Sequence, residues 1–249
     1  MIHLIPLFEG GLIFLTLEVF LFKPASWIYA MAAITALIFL GALIPKRKYS
    51  SRRDFFHFIF NPLIFAWSAF LLLLFFENIY FRHFFVLGVA AYLFFYFENL
   101  FYYLIGEKEK NADNFLRMTN LMNVVSIFFL AAGLYGVKTF IQLPIWPLAA
   151  VFFVFSGALV YGVLGIVKPA FREIIFDIIV LSLIIMEFFV VLSFLPIGFY
   201  AGGAILGIIY YMIAGIVISF LKNAAAPYKR YVIVGGILLA IVILTARWM

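Results

Sequence analysis

The chain has 249 residues, of which 68% are apolar, 21% aromatic and only 11% charged, with a net charge of +6. A mean hydropathy of +1.21 lies far outside the globular range and excludes a soluble domain with a polar surface. The absence of cysteine excludes disulfides, thiol nucleophiles and cysteine metal sites.

A helix needs about 20 apolar residues to cross a bilayer core, and the chain offers nine continuous runs of that kind. They cover residues 2–22, 25–44, 55–76, 84–105, 118–137, 144–167, 174–195, 197–221 and 231–247. Barrel strands would instead alternate over about 10 residues. The predicted fold is all-α, a polytopic transmembrane helix bundle of about nine spans, forming a single integral membrane domain over 1–249. The first run contains Pro6, Glu9 and Glu18, which lower its tendency to insert, and eight spans remain if it lies along the interface. It follows no basic leader, so no cleavable signal is expected.

Orientation follows from the basic residues. Connections near 45–54, 106–117, 168–173 and 222–230, after spans two, four, six and eight, hold 13 of the 17 Lys and Arg. The other four are Lys23, Arg82, Lys138 and Arg247. The basic loops are therefore expected in the cytoplasm of a bacterial or archaeal cell, with the N-terminus inside and, for nine spans, the C-terminus outside. The expected partners are the lipid bilayer, anionic lipid headgroups at those loops, and a homo-oligomer or membrane-complex partner. No nucleic acid is expected, because the basic residues gather on no soluble module.

Within the runs, FFENIY at 75–80 returns as YFENLF at 96–101. In the first copy Glu77 and Asn78 come at a span end beside Arg82 and His83, where an interfacial cap is expected. In the second, Glu98 lies about 10 Å inside the nearer boundary at 1.5 Å per residue. Tyr92, Tyr96, Asn99 and Tyr103 follow at helical spacing, giving the fourth span a polar stripe. Thr119, Asn123 and Ser126, with Asn120 adjoining, do the same for the fifth. In the third, Asn61 precedes Pro62, which cannot donate to the carbonyl of Phe58, so a kink with a free backbone acceptor is expected.

Glu9, Glu18, Glu98, Asp177 and Glu187 all fall inside predicted spans, whereas every Lys and Arg lies at or beyond a span end. An ionised carboxylate in the bilayer core costs at least a few kcal/mol. With no base expected within the spans, these groups must carry a proton, line water or hold a cation. The bland alternative is neutral hydrogen bonding between helices.

His57 and Asn61 have a spacing that resembles one element of rhomboid-type intramembrane serine proteases. The glycine before the serine is replaced by Val154 in VFSG, and no histidine follows His83, so that catalytic dyad cannot be assembled. No lysine is buried late enough for a retinal Schiff base, and no glycine loop cradles phosphate. No catalytic residue, metal site or cofactor is expected. Gly203 with Gly207, Gly236 with Ala240, and Ala158 with Gly162 read as helix-packing faces.

The leading functional expectation is a small transporter or permease-like protein with a proton, cation or substrate site. Glu98 and Glu187 are its principal titrating groups, Asp177, Glu9 and Glu18 are secondary, and Asn99, Asn120, Asn123 and Asn61 are neutral ligands. The alternatives are a non-catalytic membrane-complex subunit or sensor, and a membrane enzyme acting on a lipid-linked substrate.

Overall fold

Nine helices occupy the described residues: α1 Leu4–Phe22, α2 Trp27–Tyr49, α3 Asp54–Leu73, α4 Ile79–Ile105, α5 Lys108–Gly136, α6 Ile145–Val167, α7 Phe171–Leu192, α8 Phe199–Leu221 and α9 Tyr228–Thr245. The computed structural model describes residues 4–49, 54–105, 108–167, 171–221 and 228–246, with side chains over 5–44, 58–104, 114–165, 174–221 and 228–246. Most of the basic connections and the His57 side chain lie outside these ranges, while Arg117, Lys229 and Arg230 are exposed.

Eight of the helices are long and apolar enough to cross a membrane, so the chain is a polytopic integral membrane protein. α1 is one of the eight, and the described apolar part of α3 is shorter. That part, Phe58–Leu73, covers about 24 Å at 1.5 Å per residue, and the helix itself begins four residues earlier at Asp54. α1 keeps an apolar window over Ile5–Phe22 despite its two glutamates.

Asn78 fixes the start of α4. Its side-chain oxygen accepts the backbone N–H groups of Tyr80 and Phe81 at 2.9 and 3.3 Å, an N-cap that satisfies two otherwise orphaned donors. Asn78 thus caps the start of α4 and not the end of α3, and it starts the helix five residues before the expected 84, drawing Arg82 and His83 into α4. Arg82 then turns back to donate from Nε to the Phe76 carbonyl at 2.6 Å, beyond the end of α3.

The chain forms two compact units, Met1–Thr119 and Asn120–Met249, divided within α5. In the first, α1 packs on α2 and α4, α2 on α3 and α4, and α3 on α4. Neighbours in sequence run antiparallel. On α4, the level of Phe76 is met near Phe85 and that of Phe65 at Tyr92, and Tyr96 reaches Phe58.

In the second unit α6 packs on α7, and α8 on α6, α7 and α9. The ring of Phe189 on α7 is stacked between Tyr135 (4.6 Å between centroids) and Phe152 (4.5 Å), and the Tyr135 hydroxyl donates to its carbonyl at 2.8 Å. Gly203 and Gly207 form the expected packing face: a β-carbon on Gly203 would come within 2.9 Å of the Ala132 nitrogen and the Phe128 carbonyl of α5. The glycine pattern of α9 behaves differently. Gly236 faces open space, and the helix is exposed along most of its length. It is keyed to α8 where Tyr231 lies against Gly215 and Met212 against Gly235, with no room for a β-carbon at either glycine. After Gly136, α5 widens into a π-helix, Val137–Ile141, and ends at Gln142 in the left-handed region at φ 58°. Lys138 there donates to the Ser193 carbonyl just past α7 and lies 5.3 Å over the Phe194 ring.

Candidate functional site

The five intramembrane acids do not share one environment. Glu18 accepts from His83 Nδ1 at 2.8 Å through Oε2, with Oε1 at 3.0 Å. This corrects the expectation that no base is available within the spans: the early start of α4 places an imidazole opposite α1. Among the described residues this is the one acid–base side-chain contact at such a distance.

Glu9 is the opposite case. Its side chain is 5% exposed, and neither carboxylate oxygen has a hydrogen-bond partner. It packs against Gly41 of α2, whose missing side chain leaves the space that the carboxylate fills. The adjoining Gly10 lies on α4, where an added β-carbon would meet the Phe94 Cβ at 3.0 Å and the Ala90 carbonyl at 3.4 Å. The fold thus holds this acid inward, between glycine contacts with two different helices.

Further orphaned polar atoms occur at the same level. The Trp67 indole donates to Thr35 Oγ1 at 3.1 Å. Because α2 and α3 are antiparallel, this pairing sets Asn61 level with Gly41, each six residues from its partner in the bond. The Phe20 and Phe70 rings, 4.5 Å apart, align the parallel helices α1 and α3 and put Glu9 level with Ile59. The two routes agree to within two residues, or about 3 Å. Asn61 is fully buried, and both its amide nitrogen and its oxygen lack partners.

On α4, the Tyr92 ring stacks on Phe65 at 5.2 Å while its buried hydroxyl has no partner. Phe115 of α5 touches Phe58 at 5.7 Å, Tyr96 at 5.6 Å and Tyr103 at 5.0 Å. One turn further on, the Thr119 hydroxyl is buried and unpartnered. One layer of the first unit therefore holds a carboxylate, an amide and two hydroxyls, all short of partners, on α1, α3, α4 and α5. Buried polar groups are nearly always hydrogen-bonded, and each orphan costs on the order of 1–3 kcal/mol. Oxygen donors of this kind suit a proton or a hard cation.

The carbonyl freed by Pro62 lies beside this layer and is satisfied. Tyr96, fully buried, donates to Phe58 O at 3.0 Å. The tyrosine stripe of α4 thus serves mainly to pack α3 and α5.

The other candidates are placed differently. Glu98 is half-buried, with no hydrogen-bond or charged partner among the described residues, and the Asn99 amide returns to its own helix at Phe95 O, 2.8 Å away. In the second unit, Asn123 is fully buried and its Nδ2 donates to Leu159 O at 2.7 Å and to the Tyr210 hydroxyl at 3.2 Å, leaving its oxygen and that of Asn120 unpartnered. Asp177 is half-buried on α7 and Glu187 is exposed on the same helix. A cavity of about 20 Å³ between α6, α7 and α8 is lined by apolar groups such as Val160, Leu164, Ile185 and Ile218, with Tyr210 the one polar side chain in its wall among the described residues. No three His, Asp or Glu side chains gather as a metal cluster among the described residues.

Sequence reasoning missed Gly41 and the pairing of His83 with Glu18. A signal for Gly41 existed: it lies as far beyond residue 25, in the α1–α2 turn, as Glu9 lies before it. No protein-family model matches the chain, and no curated protein or solved structure is similar enough to count as related.

Proposed function

We propose that the protein is a small transporter in which the polar layer of the first unit binds a proton or a monovalent cation, with Glu9 as the charged acceptor. The observation that carries this reading is the isolation of Glu9, a buried carboxylate with two unpartnered oxygens and no base among the described residues beside it. A fixed negative charge in that position costs several kcal/mol, so it must be neutralised by something that arrives. One carboxylate accompanied by neutral oxygens balances a single positive charge. Asn61, Tyr92 and Thr119 supply hydrogen-bonding capacity at the same level, and Glu98, nearer one end of α4, gives an intermediate stop on the way in. The basic connections, read as cytoplasmic, put this layer in the inner half of the membrane.

The test is flux. Purified protein in proteoliposomes, with a trapped pH dye or alkali-ion indicator, is driven by imposed H⁺, Na⁺ or K⁺ gradients. Wild type is expected to conduct one of these ions, and Glu9→Gln to reduce that flux at least tenfold while eluting as a folded, monodisperse species. Glu187→Gln should leave it within about twofold. Undiminished flux in Glu9→Gln, or a wild type silent to all three gradients, removes the assignment.

A further inference from the structure

The face of α7 that points away from its own unit carries a carboxyl group in the middle of an apolar stripe. Phe176, Ile179, Leu183, Glu187 and Val191 are spaced by three and four residues, within an arc of about 120° at 100° per residue, and apart from Glu187 all are large exposed hydrophobics. The opposite face is buried through Ser182, Ile185, Phe189 and Leu192. Its orientation is fixed: Phe189 is clamped between Tyr135 and Phe152, and Ser182 Oγ would lie 3.3 Å from a β-carbon on Gly157 of α6. Glu187 therefore cannot turn inward without undoing that packing.

Neither can it reach water readily. The crossing segment of α7 is Ile174–Leu192, and Glu187 lies about 7.5 Å before its nearer end at 1.5 Å per residue. Beyond Ser193, whose hydroxyl donates to the Val190 carbonyl, come the exposed Phe194 and Leu195. It has no hydrogen bond or ion pair among the described residues. A carboxyl facing lipid at this depth needs a polar group from another molecule.

We propose that this stripe is where a second copy of the chain docks, with the two Glu187 side chains hydrogen-bonded to each other across a two-fold axis along the membrane normal. Copies inserted the same way round carry Glu187 at the same depth, so the axis brings the two groups face to face. A carboxylic acid is self-complementary: the proton of one acid donates to the carbonyl oxygen of the other, and no third group is needed. Lipid tails offer no such partner, and an unrelated helix would have to present a donor at the same depth. Polar side chains of this kind hold transmembrane helices together where apolar contact supplies no net drive. The proposal is independent of the reading of Glu9.

The test uses the full chain in lipid bilayers, with monomer and dimer read by single-molecule photobleaching over a range of protein-to-lipid ratios. Wild type is expected to form dimers, and Glu187→Leu, an apolar change on an exposed position, to lower the association constant at least tenfold. Because the chain has no cysteine, Leu183→Cys and Val234→Cys each introduce a single thiol. A short bifunctional thiol reagent should cross-link the first, on the stripe, and spare the second, on the exposed part of α9. A wild type that stays monomeric at every ratio, with lipid covering the face, overturns the proposal. So does a Glu187→Leu variant that dimerises like wild type, or cross-linking at position 183 no stronger than at 234.

Discussion

At Phe58 a backbone carbonyl loses its helical donor because Pro62 has no N–H, and the hydroxyl of Tyr96, from another helix, takes its place at 3.0 Å. Tyr96→Phe should therefore cost about 1–2 kcal/mol, the penalty for a buried acceptor left unpaired. Pro62→Ala returns the missing N–H, so the same tyrosine change made in that background should cost much less. Thermal unfolding in detergent of the four proteins of this cycle measures the coupling, and equal costs in both backgrounds would show that the hydroxyl does not serve the freed carbonyl. The proline, and hence the free acceptor, could be read from the chain, but the donor could not, because 38 residues separate the two partners. Glu9 and Glu18 make the same point. Both are acids in one apolar run, and they differ only in what other helices bring to them: a glycine and unpaired atoms for the first, an imidazole for the second.

Helices were legible as elements because long apolar runs have few alternatives in a membrane. Their ends were less so, since capping is a matter of one or two side chains. Asn78 moves the start of α4, and the left-handed Gln142 closes the π-helix after α5. Glycine at that position avoids the steric cost of φ 58°, so Gln142→Gly should stabilise the protein by about 0.5–1 kcal/mol, visible as a raised melting temperature. Small-residue patterns were legible as packing motifs, but not which of them would be occupied. Gly203→Ala should destabilise by about 1–3 kcal/mol, because backbone atoms of α5 stand in the way. Gly236→Ala meets open space and should gain about 0.5–1 kcal/mol from helix propensity alone. Similar costs for the two alanines in the same unfolding assay would contradict the packing described for α8 and α9.

For the whole molecule, composition alone established the membrane class and the all-helical fold. The chain could not reveal that its helices gather into two units, because that division depends on which faces meet. The crossing number turns on α3, whose apolar part is the shortest among the described residues. If α3 crosses, Lys23 and Glu77 emerge on one side of the membrane, since one pair of crossings, α2 and α3, separates them. Single cysteines placed at each in this cysteine-free chain should then react with an impermeant thiol reagent from the same side, and one at Lys229 from the opposite side. Labelling of positions 23 and 77 from opposite sides would leave eight crossings.

The attachment of α9 has a consequence for assembly. Hydrocarbon chains solvate an apolar rod as well as α8 does, so burial gives the last helix little reason to stay. Its hold rests on close fits, Tyr231 at Gly215 and Met212 at Gly235, and on the ring contacts Tyr211–Tyr231 and Phe220–Tyr228. A methyl group added at Gly215 would act as a wedge, prising the aromatic ring outward and admitting acyl chains along the seam. The terminal rod would then drift free in the bilayer while the rest of its unit stayed folded.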